Sequence, residues 1–133
     1  MVFLTEQWVL VSILAVLAVA LFVVESRKGG QALSHHEATR MLNTGDAVVV
    51  DVRESKEFSA GHIVNAINIP FAKLGDRASE LEKHRAKTLI VADKMGQHAG
   101  ASGKILKEKG FSVTRLQGGM SEWQNQNLPV VKG

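Results

Sequence analysis

Residues 48–70 read VVVDVRESKEFSAGHIVNAINIP and carry the strongest structural signal in the chain. At their start, Ala47–Val52 is a continuous, largely β-branched run, which is typical of a strand buried on both faces. The polar stretch Glu54–Ser59 predicts a helical turn. His62–Ile69 predicts a second short strand, which stops where Pro70 lacks the backbone donor that a longer ladder needs. The segment therefore predicts two strands joined by a helical turn.

Outward from this unit, strands and helices alternate along the chain. Ser34, with Glu37 three residues later, forms a capping-box pattern that predicts the start of a helix. The other predicted elements are helix His35–Leu42, helix Leu74–His84, strand Thr88–Ala92, helix Ala99–Lys109, strand Ser112–Leu116 and helix Met120–Gln126. This alternation indicates an α/β domain with a largely parallel central sheet flanked by helices. Ligands of such sheets bind beyond the carboxyl ends of strands, so the loop after Thr88–Ala92 is the first candidate site.

The N-terminal part of the chain is a continuous apolar segment. Trp8–Val24 reads WVLVSILAVLAVALFVV, and as a helix it spans about 25 Å, near the roughly 30 Å of a hydrocarbon core. We expect a retained transmembrane anchor, because a cleaved signal peptide would need a basic start and a suitable cleavage site. Arg27 and Lys28 follow the segment and no Lys or Arg precedes it, which places the following domain in the cytoplasm. The predicted division is anchor 1–26, linker 27–33 and soluble domain 34–133.

The composition excludes several kinds of chemistry. The chain contains no cysteine, so disulfides, thiolate metal sites, iron–sulfur clusters, persulfides and thiol nucleophiles are all excluded. From Arg27 onward, 16 basic residues face 11 acidic ones, a balance that suits a domain beside an anionic leaflet. The basic residues are scattered and the aromatics are two Trp and five Phe. So few aromatic residues offer no platform on which nucleic-acid bases could stack, so we expect no nucleic-acid partner.

Three segments occur in an order that resembles a known family. They are Val48–Pro70, the strand–loop–helix region Leu89–Phe111, and LQGGMSEW at Leu116–Trp123. The pattern DVRE…F…GHI…A.NIP, followed at family-like spacing by GGM..W, resembles the rhodanese homology family over essentially all of Ser34–Val131. A single domain of this kind behind one membrane span is similar to membrane-anchored rhodanese-like proteins of bacteria, which implies the inner membrane as the location.

The resemblance also locates the active loop of the family, which has the form C-x-x-G-x-R and begins with the nucleophilic cysteine. In this chain the corresponding residues are Asp93, Lys94, Met95, Gly96, Gln97 and His98. Gly96 matches the family glycine, whereas Asp93 stands at the position of the cysteine and His98 where an arginine is often found. Sulfur transfer needs a thiolate that holds sulfur as a persulfide, which a carboxylate cannot do. We therefore predict a degenerate active loop with no catalytic residue.

Such a loop presents backbone N–H groups to an anion at a helix N-terminus. We infer that the Asp93 carboxylate points at these groups, which favour its ionised form, so the loop should not bind thiosulfate, sulfate or phosphate. As a catalytic nucleophile or base, Asp93 would lack a second carboxylate nearby in sequence. As a metal ligand with His98, it would need other histidines to converge, because zinc sites have three or four protein ligands. We predict no metal and no cofactor.

Two further pairs of residues have a structural and a functional interpretation. Asp51 and Arg53 project to the same side of a strand. We interpret them as a pair that anchors the following loop, as the Asp-x-Arg of the family does, and a charge pair in a site is the alternative. Met120 and Trp123 are interpreted as core residues, with ligand stacking by Trp123 as the alternative.

The expected function is binding. A catalytically inactive rhodanese-like domain would act as a protein-binding or adaptor module at the inner membrane. Its partner, which the sequence does not name, could be a membrane protein that contacts Trp8–Val24 or a soluble protein that contacts the Asp93 loop. One alternative is a sulfurtransferase-related protein that orients sulfur carried by a partner without holding it covalently. Another is a passive folded cap on an anchor that itself carries the function.

Overall fold

The structure, a computed structural model, describes residues 2–27 and 31–133, with side chains of the first helix described at positions 7–20. That helix, α1, extends over Val2–Arg27 and contains the predicted apolar segment. Its successive apolar side chains are exposed, Trp8 by 75%. Across the described residues, no helix is both long and apolar enough to cross a membrane. Positions 28–30, which belong to the predicted linker and include the Lys28 of the orientation prediction, lie outside the described residues.

Five short strands form one parallel sheet in the order β1–β5–β4–β2–β3. The strands are β1 Gln31–Leu33, β2 Ala47–Asp51, β3 Ile67–Asn68, β4 Thr88–Ala92 and β5 Ser112–Leu116. The central pair, β2 and β4, is aligned along its whole length, from Ala47 beside Thr88 to Asp51 beside Ala92. Both of these strands are covered on two faces, which is why their sequences are nearly unbroken apolar runs. The predicted α/β fold with a parallel central sheet flanked by helices is confirmed.

Helices cover both faces of this sheet. They are α2 His35–Thr44, α3 Ser55–Ala60, α4 Leu74–Arg77, α5 Ala99–Glu108 and α6 Gly119–Asn125, with 3₁₀ segments at Phe71–Lys73 and Ala78–His84. Ser34 caps α2 as predicted, because the Glu37 N–H donates to Ser34 Oγ over 3.2 Å. The Ser34 hydroxyl also donates to Glu37 Oε1 over 3.2 Å, so the two side chains of the predicted capping box contact each other. The helix ends at Gly45, whose φ of 80° is a left-handed conformation that glycine adopts at low cost.

Alternate residues of β2 build two apolar layers. Val48 and Val50 pack in the layer that also contains Leu74, Leu81, Leu106 and Phe111. Ala47 and Val49 pack in the layer that contains Ala38, Ile63, Met120 and Trp123. This alternation follows from the two-residue period of a strand. Because both layers fix the central strands, the loops at the carboxyl ends of those strands start from a rigid base.

Three elements differ from the sequence prediction. Gln31–Leu33, the last three residues of the predicted linker, pairs with β5 and belongs to the sheet. The predicted strand His62–Ile69 is a strand only at Ile67–Asn68, because Asn65 turns the chain with a φ of 65°. The predicted helix Leu74–His84 is one α-helical turn followed by a 3₁₀ segment.

Candidate functional site

The loop between β4 and α5 folds around a buried carboxylate. Asp93 follows β4 directly and is only 2% exposed. Its Oδ1 accepts a hydrogen bond from the N–H of Gly96, a residue with a φ of 100°. Its Oδ2 accepts from the N–H groups of His98 and Ala99, at 2.6 and 3.1 Å. The side chain thus lies inside the turn, in the orientation inferred from the sequence.

We call the backbone N–H groups of Gly96, His98 and Ala99 the amide cluster. They lie at the start of α5, a helix of ten residues. The first N–H groups of a helix have no partner within it, and the helix dipole adds partial positive charge at that end. Such a cluster favours an anion, and three donors satisfy a carboxylate that is almost completely out of solvent. In this chain the anion is the side chain of Asp93.

The other loop side chains lie at the surface. Residues 94–98 are exposed, and Met95 at the tip is 67% exposed. The Met95 N–H donates to Gln97 Oε1 over 3.0 Å. The His98 ring stacks on Phe71, with 4.8 Å between the ring centroids and 13° between the planes. The six loop residues named from the sequence therefore form one compact turn, with a carboxylate inside and a methionine outside.

The first turn of α6 holds this loop from within the domain. The Met120 N–H donates to the Asp93 carbonyl over 2.7 Å, and the Ser121 N–H donates to the Lys94 carbonyl over 2.8 Å. Gly119 has a φ of 62°, and a Cβ there would lie 2.5 Å from the Asp93 carbonyl oxygen and 2.8 Å from Asp93 Oδ1. This positioning role of Gly119 and α6 was not predicted from the sequence. The available signal was the doubled glycine of LQGGMSEW before a helix.

Residues 34–126 match the rhodanese-like domain family. The chain belongs to the rhodanese-like family. It is 39% identical over 105 residues to YibN, an uncharacterised protein of Escherichia coli, with 77% of this chain and 73% of YibN covered. The family includes sulfurtransferases, so this rhodanese-like domain is related to them.

Two solved structures illustrate the shared fold. A rhodanese-related protein of Thermoplasma volcanium superposes on this rhodanese-like domain with a TM-score of 0.70 at 29% identity, over 76% of this chain and 97% of that chain. A thiosulfate sulfurtransferase of Pseudomonas aeruginosa has a TM-score of 0.71 at 24% identity, over 84% of this chain and 22% of that chain. At that identity, the second comparison shows the fold alone.

Asp51 and Arg53 form a buried ion pair in the rhodanese-like domain. Arg53 Nε donates to Asp51 Oδ1 over 3.0 Å, and Arg53 Nη2 donates to Asp51 Oδ2 over 2.7 Å. Arg53 Nη2 also donates to the Gly61 carbonyl over 2.8 Å. Asn68 Nδ2 donates to the carbonyls of Asp51 and Arg53, each over 3.0 Å. The pair ties the end of β2 to the end of α3 and to β3, which supports the structural interpretation.

The histidines have contacts of other kinds. His62 Nδ1 lies 2.7 Å from the Phe58 carbonyl oxygen, and the His62 ring stacks on the Phe58 ring. The rings of His35 and His36 lie against each other, 4.1 Å apart. Among the residues that the structure describes, no group of three or more His, Asp or Glu could hold a metal ion.

Met120 and Trp123 lie in the core of the rhodanese-like domain. Both are buried, and both belong to the apolar layer on the α2 face of the sheet. The Trp123 indole N–H donates to the Pro129 carbonyl over 3.0 Å, so its one polar group has a partner. The core interpretation of these two residues is confirmed.

Proposed function

We propose that this chain is a catalytically inactive rhodanese-like domain that binds a protein partner at a membrane. The observation that carries the proposal is the Asp93 carboxylate inside the amide cluster. By motif order, Asp93 occupies the position of the family's nucleophilic cysteine, and the sequence contains no cysteine elsewhere. Because a persulfide cannot form without a thiolate, the domain should not carry sulfur.

The same carboxylate should keep external anions out of the loop. Thiosulfate or phosphate would have to displace a ligand that is already tethered to the amide cluster. Each hydrogen bond to that charged ligand is worth about 1.5–3 kcal/mol. An anion that approached without displacing Asp93 would meet a like charge at close range. We therefore expect no localised amide shifts at residues 93–98 when sulfate is titrated into the protein and followed by NMR.

A sulfurtransferase assay with two cysteine variants tests the loss of chemistry. The full chain should transfer no sulfur from thiosulfate to cyanide above background. Asp93→Cys places a thiol inside the amide cluster and should introduce turnover, because α6 still holds the loop. Met95→Cys is the matched control, since it places a thiol two residues away on the exposed tip, and it should stay inactive.

Three other results of that assay would have different meanings. A wild-type rate that rises in proportion to protein concentration contradicts the proposed inactivity. An inactive Asp93→Cys variant would show that more than the nucleophile has been lost. Turnover by both cysteine variants would mean that the amide cluster does not determine where sulfur is held.

The exposed face of the loop supports a binding role. The turn offers Met95 to solvent, while contacts with α6 fix its backbone. A preorganised turn binds at a lower entropic cost than a flexible one. A photoreactive residue at position 95 should therefore crosslink a partner in cells, whereas one at position 64, where Val64 is similarly exposed outside the loop, should not. Equal crosslinking from both positions would argue against a partner at the loop.

The proposed location is the cytoplasmic face of a bacterial inner membrane. This location is supported by Trp8–Val24, an uncharged and apolar run of the sequence. Its first 13 residues, up to position 20, have side chains that the structure describes. The described apolar side chains of this run are exposed on successive positions, a surface typical of a membrane helix. Arg27 and Lys28 on the C-terminal side favour a cytoplasmic domain.

Extraction and labelling test this location. The full chain should stay in the membrane fraction after alkaline washing. A single cysteine at exposed Ser112 should react with an impermeant maleimide only after the inner membrane is opened. Release of the chain by alkaline washing would contradict the anchor, and labelling of intact cells at Ser112 would contradict the orientation.

A further inference from the structure

The strands of the parallel sheet all begin at one end of the domain, opposite the end that carries the Asp93 loop. We call the turns and helix ends just before β2, β4 and β5 the strand-start edge. Their charged residues are Lys83, Arg85, Lys87, Lys107 and Lys109, with Asp46, Glu82 and Glu108 as the acidic members. All eight are exposed. The basic residues outnumber the acidic ones, so this edge is positive.

Arg85 and His84 contact their neighbours along the strand-start edge. Arg85 Nη2 lies 2.6 Å from Glu82 Oε1, so the arginine neutralises one of the acidic residues. Arg85 Nη1 donates to the Lys109 carbonyl over 3.1 Å, which ties the 3₁₀ segment before β4 to the end of α5. Burial, together with the positive charges of Lys83 and Lys87, lowers the pKa of His84 below its usual value. Lys83 and Lys87 therefore lie close enough to His84 to disfavour its protonated form.

The chain enters the domain on the same side. In β1, Gln31 pairs beside Thr114, the third residue of β5, and the two strands are parallel. The chain that comes from α1 therefore enters the sheet from the side of the strand-start edge. Gln31 is four residues beyond Arg27, the last residue of α1, so their Cα atoms can be at most about 14 Å apart. The start of β1, where the chain enters the sheet, therefore lies close to the end of α1.

We propose that the strand-start edge rests against the anionic headgroups of the bilayer that holds α1. This inference rests on the membrane anchor proposed above. An anionic leaflet attracts Lys and Arg that lie within about one Debye length, roughly 8 Å at physiological salt. Because the chain enters β1 from the side of this edge, the short connection to α1 favours the approach of this edge to the lipid surface. The Asp93 loop, one strand length away at the opposite edge, is then directed toward the cytoplasm and open to a partner.

A matched pair of labels on one strand tests the orientation. Because the chain has no cysteine, Ser112→Cys and Gln117→Cys each provide a single labelling position. Both native residues are exposed, one at the start of β5 and the other just after its end. The full chain, labelled with a fluorophore, is placed in nanodiscs of phosphatidylcholine with or without phosphatidylglycerol, and lipids with a nitroxide headgroup serve as the quencher.

In discs with phosphatidylglycerol, we expect several-fold stronger quenching of the label at position 112 than at position 117. The difference should shrink in discs of phosphatidylcholine alone, at high salt, and in a Lys83→Gln, Lys87→Gln double variant. A chain that does not co-elute with the discs would refute the membrane anchor itself. A chain that co-elutes but shows equal quenching at both positions, or a difference insensitive to lipid charge and to the two lysines, would overturn the orientation while leaving the anchor intact.

Discussion

Replacement of Gly119 by alanine measures how tightly α6 holds the Asp93 loop. The left-handed φ of 62° alone costs an L-residue about 1–2 kcal/mol. The added Cβ would also lie 2.5 Å from the Asp93 carbonyl oxygen and 2.8 Å from the Lys94 carbonyl oxygen, so the loop must move. That movement weakens the hydrogen bonds from Met120 and Ser121 to these carbonyls, each worth about 0.5–1.5 kcal/mol. We expect a total loss of about 2–5 kcal/mol in the free energy of unfolding.

Urea unfolding of the full chain in detergent provides the measurement. Trp123 fluorescence reports the domain once Trp8 is replaced by Phe. Gly45→Ala is the control, because Gly45 has a φ of 80° and no atom within 4 Å of the added Cβ. The Gly45→Ala variant should lose only the conformational part of the free energy of unfolding, about 1–2 kcal/mol. If Gly119→Ala costs no more than Gly45→Ala, the close approach of α6 to the loop is refuted.

Two further predictions concern charged groups outside the loop. Arg53→Met leaves Asp51 buried without its partner and should lower the free energy of unfolding by about 3–5 kcal/mol. The Asp51→Asn, Arg53→Met double variant should lose less, and equal losses in urea unfolding would contradict a paired charge. By NMR titration, His84 should have a pKa below its usual value of about 6.5. Lys87→Gln should raise that pKa, because one repelling charge is removed while the burial remains, and an unchanged pKa would exclude this electrostatic coupling.

The central strands were predictable because their own side chains fix their place. Ala47–Asp51 and Thr88–Ala92 are apolar enough to require cover on both faces, whatever surrounds them. The edge strands were harder. Gln31–Leu33 is three residues long with only Leu33 buried, so no pattern marks it, and its pairing depends on β5. In the segment before Pro70, the left-handed turn at Asn65 limits the predicted strand to Ile67–Asn68, and the apolar residues around Asn65 do not reveal that turn.

The position of the Asp93 carboxylate was more predictable than the contacts by which α6 holds the loop. Asp93 comes directly after a buried strand and shortly before a helix, so its carboxylate can reach the N–H groups of that helix through local geometry alone. The contact with Gly119 joins segments about 25 residues apart and depends on how closely α6 approaches β4. Such a distance is a property of tertiary packing. The pair Gly118-Gly119 marked a turn in the sequence, but it did not show that this turn packs against the Asp93 loop.

Helix dipoles offer a competing reason for the lysines of the strand-start edge. In a parallel α/β domain the helix N-termini lie at the loop edge and the C-termini at the strand-start edge, where a cation stabilises a helix by about 0.3–1 kcal/mol. Lys107, in the last turn of α5, fits that role. Lys87 follows the end of a 3₁₀ segment, and its contribution through a dipole should be smaller. If dipoles explain the charge, the lysine variants lose stability equally in neutral and anionic discs. If the membrane explains it, their effect on the orientation of the domain appears only when the lipid is anionic.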